Sequence, residues 1–285
     1  MRVQILLKPA ESKRLIAKAI VETDAVKKAL KDGIVMIHPS STTYHMLEFL
    51  TGKKPENIWM AGMLSPKGAC VEGRMQKAME DDHYKELTDP ANFPFSWVFC
   101  KGKFETGLKL AHVLQEMGEG DIYIKGVNAI DAHGHVGVLL ASLAGGTIGK
   151  VIKAEKERKF SVIYAGGLEK FIPGSLQEAA KDSGRPNTLD AMGIPCAILP
   201  IKGQAITEIE ALKILAKVDV IPIAAGGVGG AEGSTMVVIK GEEENVRRAM
   251  QIAKDMKNCE VPMVITPACK TCHLPGCYYS GKDMD

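Results

Sequence analysis

DIYIKGVNAIDAHGHVGVLLASLAGGTIGK, residues 121–150, is the stretch from which the fold reads most directly. It opens with the β-rich run Ile122, Tyr123, Ile124, crosses the turn-prone Gly126 and Gly134, and closes on Gly145-Gly146-Thr147-Ile148-Gly149-Lys150 at a predicted helix start. A strand that hands polar side chains such as Asn128, Asp131 and His133 to a loop is where open α/β sheets place ligand sites. The glycine-rich helix start downstream offers free backbone N–H groups to an anion, with Lys150 to neutralise charge.

Upstream, apolar side chains at Leu15, Ile16, Ala19, Ile20, Val26 and Leu30 keep a helical spacing interrupted near Thr23-Asp24, which predicts two short helices. Ile34 to Ile37 reads as a buried strand, followed by His38-Pro39-Ser40-Ser41-Thr42-Thr43 and a helix from Tyr44 to Leu50. Ser40, Ser41, Thr42 and Thr43 either cap that helix or donate to a phosphate or carboxylate at its N-terminus; spacing alone leaves both readings open. Further strands are expected over Asn57–Met63 and Phe95–Cys100, and helices over Glu72–Leu87 and Thr106–Met117. Thr147–Arg158 (helix), Phe160–Tyr164 (strand) and Ser175–Lys181 (helix) continue the alternation. Strands separated by helices predict an α/β fold whose first part, residues 1–186, is a mainly parallel doubly wound sheet covered on both faces.

Asp182 to Asn187 reads as a linker. Beyond it, strand 196–201, helix 207–216, strands 219–224 and 234–240, helix 242–256 and strand 262–266 give the order βαββαβ. That order predicts a ferredoxin-like domain over 187–267, followed by a cysteine-containing tail over 268–285. The glycine run 225–233 lies between two predicted strands and does not fit G-x-G-x-x-G, so it reads as a hairpin and not as a dinucleotide loop.

The bulk composition of the 285 residues, 46% hydrophobic and 25% charged, is that of a soluble globular protein. With 36 basic against 34 acidic residues there is no field to attract nucleic acid or an acidic membrane. No apolar run reaches the roughly 18 residues of a membrane helix, so a cytoplasmic protein is expected.

Other chemistry-bearing groups fall in two places. His133 and His135 beside Asp131 suit a metal or acid/base role, or simply a solvated turn. Glu169-Lys170 follows a predicted strand, at the end where ligand groups gather. In the tail, Cys269, Cys272 and Cys277 have spacing fit for a shared metal, zinc or an iron–sulfur centre, with His273 or Cys259 as a fourth ligand. A thiol pair or unligated cysteines are the alternatives. Cys70, Cys100 and Cys196 read as core residues.

Two stretches, ESKRLIAKAI with ALKDGIVMIHPSSTTYHMLEFL, and IYIKGVNAIDAHGHVG, resemble the superfamily of ribose-5-phosphate isomerase, glucosamine-6-phosphate deaminase, CoA transferases and repressor sugar-phosphate sensor domains. The resemblance covers residues 11–175 and implies a small-molecule ligand carrying a phosphate or carboxylate: a sugar phosphate, nucleotide or CoA ester. It also implies isomerase- or transferase-like chemistry, and a ferredoxin-like second domain occurs in the isomerases. Where those carry a catalytic aspartate this chain has Asn128, whose amide cannot abstract a proton, and Asp131 is the nearest substitute. On this reading Ser40 to Thr43 hold the anion, Asn128 and Asp131 orient or deprotonate the ligand, and Lys150, Glu169 and Lys170 complete the site. The competing reading is a metal- or redox-linked regulatory or assembly protein working through the tail; a homo-oligomer is expected in either case.

Overall fold

The computed structural model describes residues 1–55, 60–73, 76, 96–105, 107–203 and 205–283. Its centre is a six-stranded mixed sheet. Strand β2 (Ile34–Ile37) pairs in parallel with β7 (Ile122–Gly126), and β7 with β10 (Ser161–Ala165). The short β12 (Ala205–Ile206) extends the parallel part beyond β10; β5 (Trp97–Cys100) and β6 (Lys103–Glu105) add antiparallel strands beside β2. The parallel strands are apolar on both faces, as strands covered on both sides must be. On one face Val35, Ile37, Ile122 and Ile124 pack on α1 (Pro9–Glu22), α3 (Thr43–Thr51) and α7 (Glu208–Ala216). On the other, Met36, Tyr123 and Tyr164 pack on α4 (Leu110–Glu116) and α5 (Gly146–Arg158).

One residue registers the three central strands. Asp121, just before β7, accepts from Ile34 N (2.7 Å) and Gly118 N (2.8 Å) through its carboxylate, and its carbonyl accepts from Ser161 N (2.9 Å). Gly33 is required beside it, since a Cβ there would stand 2.4 Å from Asp121 Oδ1. The two N-terminal helices follow the expected break. Thr23 caps α2 (Asp24–Asp32) by accepting from Val26 N.

The expected βαββαβ order is not what the pairing gives. The hairpin of β13 (Asp219–Gly226) and β14 (Ser234–Lys240) forms, and α8 (Glu243–Asp255) follows it. Its third strand, however, is β1 (Arg2–Leu7) from the other end of the chain, antiparallel to β14. Only Ile5 and Leu7 of β1 are fully covered, so an alternation too short to read from sequence is completed by pairing. These inner residues share one core with the six-stranded sheet. Strand β11 (Ala197–Ile201) pairs instead with β9 (Val136–Leu140), which pairs in turn with β8 (Ala129–Ile130). Pairing therefore runs across residue 186. Residues 262–266 form no strand: Pro262 and Pro267 lack N–H donors, and Ile265 N and O are taken by Glu72 and Gly73.

A hairpin, β3 (Ala61–Ser65) with β4 (Gly68–Val71), precedes strand β5 of the central sheet. The helix expected over Glu72–Leu87 lies almost wholly outside the described residues, as does the start of the 57–63 strand. After β10, α6 (Leu176–Asp182) is capped by Ser175. Among the described residues no helix is long and apolar enough to cross a membrane.

Asp121→Ala leaves the Ile34 and Gly118 N–H groups without their acceptor. It is expected to lower the unfolding free energy by about 2–3 kcal/mol, read from urea denaturation. An unchanged midpoint would remove Asp121 from its registering role.

Candidate functional site

Three loops leave the carboxyl ends of β2, β7 and β10 on the same edge of the sheet. Between them lies a cavity of about 500 Å³, within the range of small-metabolite sites. His38, Ser40 and Ser41 come from the first loop, Lys125 and Gly126 from the end of β7 with Val127 and Asn128 from the loop after it, and Glu169, Lys170 and Phe171 from the third. Lys13 of α1 reaches in from one side; the β3–β4 hairpin and residues 261–264 close the others.

The hydroxyl loop is held by its own bonds. Ser40 Oγ accepts from Thr43 N (3.1 Å), and Thr43 Oγ1 donates to His38 O (2.6 Å). Gly126 lets that loop lie against β7, because a Cβ there would be 2.8 Å from Ser40 Oγ. Ser40 and Ser41 thus line the cavity, whereas Thr42 and Thr43 are fully buried and do not. Ser40 Oγ takes the capping role that the sequence left open, by accepting from Thr43 N, and it does so while lining the cavity beside Ser41.

Asn128 lines the cavity with its amide engaged by backbone: Nδ2 donates to Gly62 O (2.8 Å) and Oδ1 accepts from Leu139 N (3.0 Å). It ties the hairpin that closes the cavity to the second sheet, so its part is to shape the wall. Asp131 does not line the cavity. It is 2% exposed, and its oxygens accept from His133 N and His135 N (both 2.9 Å) and meet His135 Nδ1 at 3.2 Å. Burial works to raise its pKa, but the bonds from His135, His133 and Leu176 outweigh it and hold the carboxyl below its ordinary value. Asp131 is therefore the organiser of a turn, not a base facing a ligand. Lys150 is exposed on the first turns of α5 and lies outside the cavity lining.

Glu169 and Lys170 do reach the cavity. Glu169 pairs with Lys13 at 3.2 Å, and Lys170 Nζ donates to Val127 O at 2.7 Å. Burial first, and then Lys13, bring Lys170 down to about 8 against the opposing pull of Glu169 and Glu208. Lys125 is likewise brought to about 8, by burial and then by Lys170. Its amine makes no hydrogen bond or ion pair with any described residue. Burial, and then Lys125, push His38 well below its usual value, so its ring is neutral. Behind Lys170, the fully buried Glu208 accepts from Leu168 N (2.9 Å), and burial raises its carboxyl.

No family model, curated protein or solved structure matches this chain. The site is therefore read from its own groups.

Lys13, His38, Lys125 and Glu208 are the residues that sequence reasoning missed. Lys125 alone carried a signal, as a charge inside the apolar run IYIKG. Lys13 sits among other helical charges, and Glu208 looks like an ordinary first-turn acid. In the tail, Cys269, Cys272 and Cys277 are all free thiols, and among the described residues no group of three His, Cys, Asp or Glu side chains is arranged to hold a metal ion.

Asp131→Asn is expected to cost about 1–3 kcal/mol at pH 7. A lowered native pKa gives stability that is fully present above the unfolded carboxylate value of about 4 and lost as pH falls through the native one. The two proteins should therefore converge in acid. Urea midpoints measured from pH 7 down to 3 check this, and a constant gap would refute it.

Proposed function

We propose that the cavity binds a small metabolite bearing a phosphate or carboxylate, and that acid/base conversion of this ligand falls to the lysines at its floor. The observation that carries the reading is Lys125: a partly buried amine facing a cavity, with a second lysine beside it and no anionic partner among the described residues. Taking a cation out of water is costly unless a counter-charge meets it. Three lysines (Lys13, Lys125, Lys170) surround the space, and Glu169 is the only carboxylate that lines it among the described residues. A bound anion supplies what the protein does not.

Ser40 and Ser41 add hydroxyl donors at the same edge, the arrangement in which α/β sheets receive ligands. The ligand class agrees with the superfamily that the two stretches resemble: sugar phosphates, nucleotides and CoA esters. The proton chemistry moves, however, from Asn128 and Asp131 to Lys125 and Lys170. An amine titrating near 8 holds its proton at neutral pH yet releases it readily, which suits a group that gives and takes a proton in turn.

The test combines pH with one substitution. Binding of inorganic phosphate and of sugar phosphates, followed by calorimetry, is expected to weaken at least tenfold between pH 6.5 and 9.5 as both amines lose their charge. Lys125→Met should bind weakly at both values. The native pKa also lies below the unfolded value of about 10.4, so the unfolded chain holds the extra proton over that interval and stability rises with pH across it. Lys125→Met should therefore melt higher than wild type at pH 7, and the gap should close by pH 10. Binding that ignores both pH and the substitution would sink the proposal.

A further inference from the structure

Four of the seven cysteines come from two distant parts of the chain, and backbone bonds bring those parts together. The tail is tied to the β3–β4 hairpin on both sides of Cys70. After it, Gly73 N donates to Ile265 O (2.8 Å), Gln76 Nε2 to Ala268 O (2.8 Å), and Ala268 N to Gln76 Oε1 (2.8 Å). That clasp ends one residue before Cys269. Before Cys70, Ala69 bridges to Gly193, with Ile194 N donating to Ala69 O at 2.7 Å. Two residues back, Ala191 bridges to Cys277, through Ala191 N to Gly276 O (3.1 Å) and Tyr278 N to Ala191 O (2.8 Å). The loop 269–277 is thus tied at one end to residues just after the strand that carries Cys70, and at the other to Ala191, two residues from the bridge between Gly193 and Ala69 of that strand.

Within the loop, Cys272 N donates to Cys269 O (3.1 Å), the tight turn that a C-x-x-C pair makes around a shared centre. Gly281 N closes back onto the same carbonyl (2.9 Å), and Ser280 Oγ holds Cys272 O (2.9 Å). Gly193 is needed at the crossing, since a Cβ there would stand 2.4 Å from Ala69 O.

We propose that Cys70, Cys269, Cys272 and Cys277 together ligate an iron–sulfur cluster, with Cys70 as the fourth ligand in place of His273 or Cys259. All four are free thiols, and Cys70 is only partly covered. No three of them are arranged to hold a metal ion. A four-iron cluster is a larger body than one ion, and its corners accept thiolates too far apart for a single zinc. On ligation each thiol gives up its proton and forms one Fe–S bond, with no change in the oxidation state of the cluster. The site is separate from the lysine-lined cavity, so either proposal stands without the other.

The full chain, purified without oxygen and reconstituted with ferric iron, sulfide and dithiothreitol, whose oxidation supplies the two electrons that take four ferric ions to two ferric and two ferrous, is expected to hold about four iron and four acid-labile sulfide atoms. Reduction by dithionite should give an electron paramagnetic resonance signal. Cys70→Ser and Cys272→Ser should each lose most of the iron, and Cys259→Ser should keep it. If Cys70→Ser fails to fold, alkylation of the wild type decides: with the cluster in place these four cysteines resist maleimide, and acid stripping exposes them. Protein without iron and sulfide, one zinc per chain lost on Cys70→Ser, or Cys70 labelled as fast in the loaded as in the stripped protein would each overturn the assignment.

Discussion

The arrangement depends on a parallel register held at the amino ends of three strands. Asp121 ties β2 through Ile34, the preceding turn through Gly118, and β10 through Ser161. Parallel strands in register at one end must finish together at the other, four or five residues on. That is why Ser40, Asn128 and Lys170, far apart along the chain, surround one space. The hydrogen-bond ladder alone would tolerate a slip, but a slip of one residue would turn Val35, Ile37, Ile122 and Ile124 to the opposite core.

The cavity then inherits a conflict. A strand covered on both faces has no place for a charge, yet Lys125 follows Ile122, Tyr123 and Ile124 directly and stands at the last turn of the ladder before the loop. Its neighbours are a second lysine and a neutral histidine, and neither offsets its charge. Lys170 differs, for it has the Val127 carbonyl and the field of two glutamates. It is on this uncompensated charge that the ligand proposed above rests.

Contacts between distant parts of the chain recur. The first strand completes a sheet with the hairpin 219–240, and the tail is clasped by residues just after β4. Those long connections fix the hairpin that closes the cavity through Asn128, and they bring Cys70 to the tail.

How much of this was legible depends on the range of the interaction that decides each feature. Apolar periodicity and caps are local, and they gave α1, α2, α3, α5, α7 and α8, the strands β2, β7, β10 and β14, and the serines and Glu169-Lys170 at strand ends. Asn128 was expected to act on the ligand together with Asp131, and only the tertiary structure shows that it lines the cavity with Gly62 and Leu139 at its amide. Asp131 misled for the same reason: its oxygens are filled by neighbours four residues away or fewer, plus Leu176. The sequence by itself determined most of the helices, the apolar strands β2, β7 and β10, and that their order is α/β, since burial periodicity is written along the chain. Which strand pairs with which, that Lys125 faces a cavity, and that Cys70 meets the tail were decided only by the tertiary structure. Hydrogen bonds and charges act across space, and a linear text does not record the distance between residues that fold together.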